Sequence, residues 1–157
     1  MKVLAVDQAS KTSGWAIFED GVLLEYGKFT YEMPDLGVRL HKIKTSVQEI
    51  VEANNIDKLF LEDVQYQENV VNNVQTFKTL AEVLGVLYEY GIAADLNPEI
   101  VLAGTWKKHL GIKGANRAAQ KKNAQLFVID KYQVKPTQDE CDAICIGTYA
   151  CRKKSAF

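Results

Sequence analysis

A chain of 157 residues that is 47% apolar and 25% charged fits one domain, residues 1–157, with a sizeable core. No apolar run approaches the roughly 20 residues of a membrane span. The opening MKVLAVDQAS reaches Asp7 too early for a signal peptide, and three cysteines bunched at Cys141, Cys145 and Cys151 argue against a disulfide framework and for a reducing cytoplasm.

In chain order, residues 2–6 form a short apolar run ending at Asp7, which suits a buried strand. Residues 14–19 and 22–30 flank Asp20-Gly21, a favoured two-residue hairpin turn, so the chain opens with three antiparallel strands. Leu36, Leu40, Ile43, Val47, Ile50 and Val51 recur at helical spacing through 35–53, and Asn54-Asn55 ends that helix. Residues 58–62 read as a second buried strand that also ends in an acid, reached by a crossover to a parallel position. A long helix follows near 71–90. Val70, Val74, Phe77, Ala81, Leu84 and Tyr88 make one apolar stripe, and Val71, Leu80, Val83 and Leu87 widen it beyond one face. Residues 92–95 read as a short edge strand, and Pro98 as the first turn of a helix over 98–109. Residues 116–130 are helical, and Pro136-Thr137 opens the last helix with a capping box, Thr137 with Glu140. Strands followed by βα crossovers imply a mixed α/β sheet with helices on its faces.

Charge is unevenly distributed. The formal net value is −1, yet residues 100–129 hold Lys107, Lys108, Lys113, Arg117, Lys121 and Lys122 and no acid. The rest of the chain has 13 basic against 20 acidic residues. A basic segment on an acidic body suggests phosphate contact, aided by Gly111 and Gly114, which let backbone approach closely; the alternative is a solvated helix face. Trp106 reads as a core anchor rather than a base-stacking platform.

Asp7 and Glu62 each end an apolar strand, the place where sites form in open α/β sheets. Asp139 and Asp142, three apart at the start of a helix, share a face. Four carboxylates at one point repel unless hard cations relieve them, and two Mg²⁺ or Mn²⁺ ions so held support phosphodiester hydrolysis without a protein nucleophile. The chain lacks GxSxG, HExxH and a Walker loop, and its only histidines are His41 and His109. Each acid also has a structural reading. Asp7 suits a strand-end turn, Glu62 and Asp63 suit solvent, and Asp139 and Glu140 suit a helix N-terminus. Glu140 is assigned to the cap. Asp142 stands among apolar neighbours, and Cys141 and Cys145 read as small buried helix residues.

VLAVDQASKTSGWAIF resembles the opening of RuvC-type Holliday junction resolvases, LFLEDVQYQEN their second acidic motif and DECDAICIG their closing motif. The order and spacing agree across nearly the whole chain, most closely with the RuvC-like resolvases of lactococcal bacteriophages. The resemblance implies an RNase H-like fold with a five-stranded sheet of order 3-2-1-4-5 and a homodimer that nicks four-way DNA junctions in paired fashion. By motif position it places Asp7, Glu62, Asp139 and Asp142 in a site for two Mg²⁺ or Mn²⁺ ions. Lys107 or Lys108, and Arg117 or Lys121, match the family's phosphate-side basic residues loosely, with Lys113 between them. The aromatic that commonly follows the second acid by three positions is here Gln65, with Tyr66 one further on. The apolar excess at 71–90 offers a dimer seam through Val74, Phe77, Leu84 and Leu87, although the sequence leaves core and partner faces undivided. The rival functions are a superfamily relative acting on structured RNA, and an actin- or sugar-kinase-like nucleotide binder, for which 157 residues leave little room.

Overall fold

The computed structural model describes residues 1–68 and 71–154; Val70 lies outside them. Five strands form one sheet of order β3-β2-β1-β4-β5, the expected mixed topology. They are β1 (Lys2–Asp7), β2 (Thr12–Glu19), β3 (Val22–Thr30), β4 (Lys58–Glu62) and β5 (Glu99–Val101). β1 pairs antiparallel with β2 and parallel with β4. The β2–β3 hairpin turns on Asp20 (φ 50°) and Gly21 (φ 87°), the paired positive values that a tight two-residue turn requires.

Both faces of the sheet are covered. Leu4 and Val6 point to α1 (Leu36–Asn54) and α2 (Asn73–Ala93), packing with Ile43, Val47, Val83 and Leu87. Val3 and Ala5 point the other way, into a core built with α3 (Ala103–Leu110), α4 (Arg117–Tyr132) and α5 (Gln138–Lys154). The two-residue alternation of β1 therefore buries every apolar residue of the strand, as a central strand needs. The side chain of Asp35 caps α1, accepting from the Val38 N–H at 2.8 Å, and Asn55 ends that helix in the left-handed region. Glu140 receives the backbone N–H and the hydroxyl of Thr137, each at 2.8 Å, so its role at the α5 cap is as expected.

Two expectations fail between 92 and 109. Residues 92–95 are not the edge strand: α2 runs on to Ala93, and the edge strand is Glu99–Val101. Pro98 does not open a helix. It precedes β5, where a residue with no N–H loses nothing, and the helix begins only at Ala103. Pairing decides this, because Glu99, Ile100 and Val101 lie beside Phe60, Leu61 and Glu62. Gly91 fixes the turn between them, since a Cβ there would stand 2.9 Å from Pro98 and 3.1 Å from Leu59.

The two apolar faces of α2 separate in the structure. Val83 and Leu87 are fully buried against the sheet and Leu84 is half-buried, so Leu87 belongs to the core and not to a seam. Val74, Phe77, Tyr88 and Ile92 are exposed.

Candidate active site

Three elements bring the acids together. β1 and β4 are parallel neighbours in register, Val6 beside Leu61, so Asp7 and Glu62 leave the same end of the sheet. The third element is the first turn of α5, which lies on β2 at Gly14. A Cβ on Gly14 would stand 2.0 Å from the Asp139 carbonyl oxygen, so only glycine lets α5 come this close. That approach sets Asp142 and Asp139 near enough to raise the Asp7 carboxyl pKa.

Neutral donors hold the cluster. The buried Gln8 extends the β1–β4 ladder with its side chain. Its amide donates to the Glu62 carbonyl at 2.6 Å, and its oxygen accepts from the Glu62 N–H at 3.2 Å. The Trp106 indole donates to Glu62 Oε2 at 2.8 Å, and Gln138 donates to Asp142 Oδ1 at 2.9 Å.

The carboxyls are held far from their ordinary state. Burial pushes Asp7 well above the usual carboxylate range, and the charges of Glu62, Asp142 and Asp139 push it further, with Lys107 opposing. Burial raises Glu62 to about 7 against the Trp106 hydrogen bond, with Asp142 adding and Lys107 and Arg117 subtracting. Asp142 is raised to about 6, again by burial first, against Lys107, the Gln138 hydrogen bond and Lys121.

Asp7, Glu62 and Asp142 line a cleft of about 410 Å³ together with Lys107, Arg117 and Lys121. Asp139 is not among its lining residues. Lys108 and Lys113 line a neighbouring hollow of about 450 Å³, which shares Lys107 and Gln120 with the cleft. Lys122 is exposed and lines neither. Thus three of the basic residues from 100–129 line the same cleft as the acids, and two line the hollow beside it.

Trp106 is 1% exposed and sits in the core, with the Lys107 ammonium 5.3 Å from its ring centroid. Tyr66 is exposed, packs edge-on to Phe77 at 5.9 Å, and accepts from the Asn73 amide at 2.8 Å, while Gln65 lines both hollows. Cys141 and Cys145 are buried free thiols, and a hydrogen bond between them, followed by burial, pushes the Cys145 pKa up. A thiol so placed is inert as nucleophile or ligand.

The donor set has the hard-oxygen chemistry that Mg²⁺ and Mn²⁺ prefer. Among the described residues no three His, Cys, Asp or Glu side chains close into a ready cation cage. Mg²⁺ commonly takes only one or two carboxylates and completes its shell with water and substrate phosphate, so an open cluster beside a cationic wall fits it.

Gln8, Gly14, Gln138 and the acceptor of the Trp106 N–H had no signal in the sequence. Each matters through a partner 44 residues away or more in chain position, or across a packing contact, except Gln138, one turn from Asp142.

No protein-family profile matches the chain, and no curated protein does. Solved structures do. The chain is similar to Thermus thermophilus RuvC in complex with a Holliday junction substrate, with a TM-score of 0.79 at 15% identity over 99% of this chain and 96% of that one. It is also similar to the yeast mitochondrial Holliday junction resolvase Ydc2, with a TM-score of 0.63 at 14% identity, covering 98% of this chain and 78% of that one. A third match is the fowlpox virus resolvase bound to Holliday junction DNA, with a TM-score of 0.56 at 18% identity over 98% and 99% of the two chains. The chain therefore shares the RNase H-like fold of RuvC. No helix among the described residues is long and apolar enough to cross a membrane.

Proposed function

We propose that this chain is a divalent-metal-dependent endonuclease that nicks branched DNA, chiefly four-way junctions, in recombination, repair or phage DNA processing. One observation carries the reading: Asp7, Glu62 and Asp142 line one cleft together with Lys107, Arg117 and Lys121. Buried acids and cations lining one cleft of this size suit a phosphodiester, whose charge the basic residues attract and whose reacting bond the acids address.

Asp7, Glu62 and Asp142 would hold one or two Mg²⁺ or Mn²⁺ ions, with Asp139 behind them. The chemistry such ions supply is activation of water and neutralisation of charge on the leaving oxygen. The chain's own part is to bind and orient. Lys107, Arg117 and Lys121 hold phosphate oxygens at the cleft, and Lys108 and Lys113 take backbone phosphates next to it. The fold likeness to proteins solved with Holliday junctions, together with the three acidic motifs, favours DNA junctions over structured RNA. The phage RuvC-like resolvases are the kin we propose, working in the bacterial cytoplasm, with residues 1–157 acting as one nuclease domain.

A four-way junction has two like-polarity strands to cut, so we place two chains on it as a two-fold homodimer. The exposed stripe Val74, Phe77, Tyr88 and Ile92 on α2 supports this. Phe77→Glu should give a folded monomer in sedimentation at micromolar concentration. One wild-type chain per junction during paired nicking would rule the dimer out.

The deciding experiment compares labelled four-way, three-way, fork and linear DNA, and a matched RNA junction, each with and without Mg²⁺ or Mn²⁺. The expected outcome is metal-dependent paired nicking of the four-way DNA. Equal cutting of linear duplex, preference for the RNA, or cutting in EDTA would overturn the reading.

A further inference from the structure

Glu62 is held by more than its strand. Gln8 engages both of its backbone polar groups, at 2.6 and 3.2 Å, and Trp106 engages Oε2 at 2.8 Å. Among the described residues Oε1 has no hydrogen bond. Trp106 itself cannot swing, since it is 1% exposed and packed with Phe60, Leu110 and Ile144 in the core. A buried indole needs an acceptor for its N–H, but carbonyl oxygens commonly serve. Here the acceptor is a carboxylate of the cleft, and the next residue, Lys107, reaches the same cleft with its ammonium over the indole ring.

We propose that Gln8 and Trp106 are positioning residues for Glu62: they fix its strand-end backbone and one carboxylate oxygen so that the other is offered to the divalent cation in a single orientation. Trp106 also ties that orientation to α3, so the helix bearing Lys107 and Lys108 and the acid cluster move as one body. The proposal rests on Glu62 being a cation ligand. Outer partners of this kind orient metal ligands, and losing them typically costs about 10–100-fold in metal affinity. If packing alone set these residues, phenylalanine would fill the place of Trp106, and an apolar chain of similar length would serve for Gln8.

The test measures Mn²⁺ binding without DNA, by calorimetry, for the wild type, Trp106→Phe and Gln8→Met, with thermal unfolding to show that each variant is folded. The expected result is Mn²⁺ affinity lower by about 10-fold or more in each variant. Cleavage should need correspondingly more Mn²⁺ for half its maximal rate and recover toward wild type as Mn²⁺ is raised. Unchanged Mn²⁺ affinity in a folded variant overturns the proposal. If Trp106→Phe fails to fold, Gln8→Met decides it. A wild-type protein that binds no Mn²⁺ would overturn the metal-site reading itself, an outcome distinct from equal binding by all three proteins.

Discussion

The region around β4 carries two sets of charges in opposite conditions. At its start, Lys58 lies 3.1 Å from Glu99, and Lys153 bonds the other oxygen of the same carboxylate. Burial pushes Glu99 up, but Lys153 and Lys58 outweigh it and hold its pKa below the ordinary value. At its end, Glu62 has the Trp106 N–H and no ion pair among the described residues, and it is raised to about 7. A carboxylate placed for stability is compensated by its neighbours in the fold. A carboxylate buried beside another acid, with no cation paired to it, awaits a charge from outside, which is the pattern of a functional site.

The largest effect belongs to Asp7, the most crowded acid. Asp7→Asn should lower metal-dependent junction cleavage by roughly 10³-fold, the scale on which loss of a preorganised charge-handling group acts. Binding should survive, because the basic wall is untouched. Gel-shift and cleavage assays on the same preparation check both. Turnover like that of the wild type would remove Asp7 from the site.

Next comes the wall. Replacing Lys107, Lys108, Arg117 and Lys121 together by Ala should weaken junction binding and flatten its dependence on salt. Each lost duplex phosphate contact lowers the slope of log affinity against log salt by about 0.9. An unchanged slope would leave the segment a solvated face.

Much of this arrangement was legible in the sequence. Strand-end acids, helical stripes, the Asp20-Gly21 turn and the Thr137–Glu140 cap are all local patterns, and the structure keeps each of them. What was not legible depended on long-range partners. Three residues are too few to show a period, so β5 was invisible until β4 paired with it. The stripe of α2 held Leu87 and Phe77 alike, and only the position of the sheet makes one core and the other surface. The four acids read as equals in the sequence; in the structure Asp7, Glu62 and Asp142 line the cleft, and Asp139 acts on Asp7 through its charge without being among the lining residues.

A third test turns the contrast into a pH profile of the metal-free protein. Glu62 and Asp142 have folded pKa values raised to about 7 and about 6, so their contribution is full at acid pH and is lost as pH rises through those values. Glu99 is lowered, so its contribution is present above the ordinary carboxylate range and is lost as pH falls through its folded pKa. In EDTA, stability should therefore peak between the two limbs, near the ordinary carboxylate range at about pH 4, and fall by roughly 4 kcal/mol between pH 5 and pH 8. Glu62→Gln should flatten the alkaline limb and raise stability at pH 8, since the amide oxygen still accepts from Trp106. Added Mg²⁺ should do the same for the wild type. A profile rising steadily from pH 5 to 8 in EDTA would contradict the crowding.

The smallest effect is at the compensated end. Lys153 is nearly half exposed, so its pair with Glu99 is screened by solvent and cannot carry much energy. Lys58 remains beside Glu99 when Lys153 is removed, so no buried charge is stranded. Lys153→Ala should cost about 0.5 kcal/mol, a fall in Tm of about 1–2 °C for a chain of this size. The loss should fade in high salt and leave cleavage untouched, because neither Glu99 nor Lys153 lines the cleft or the hollow beside it. A loss several times larger would mean that Glu99 depends on Lys153 rather than on Lys58. The charges at that end would then be as delicately balanced as those around Glu62, and the difference between the two ends would be one of degree.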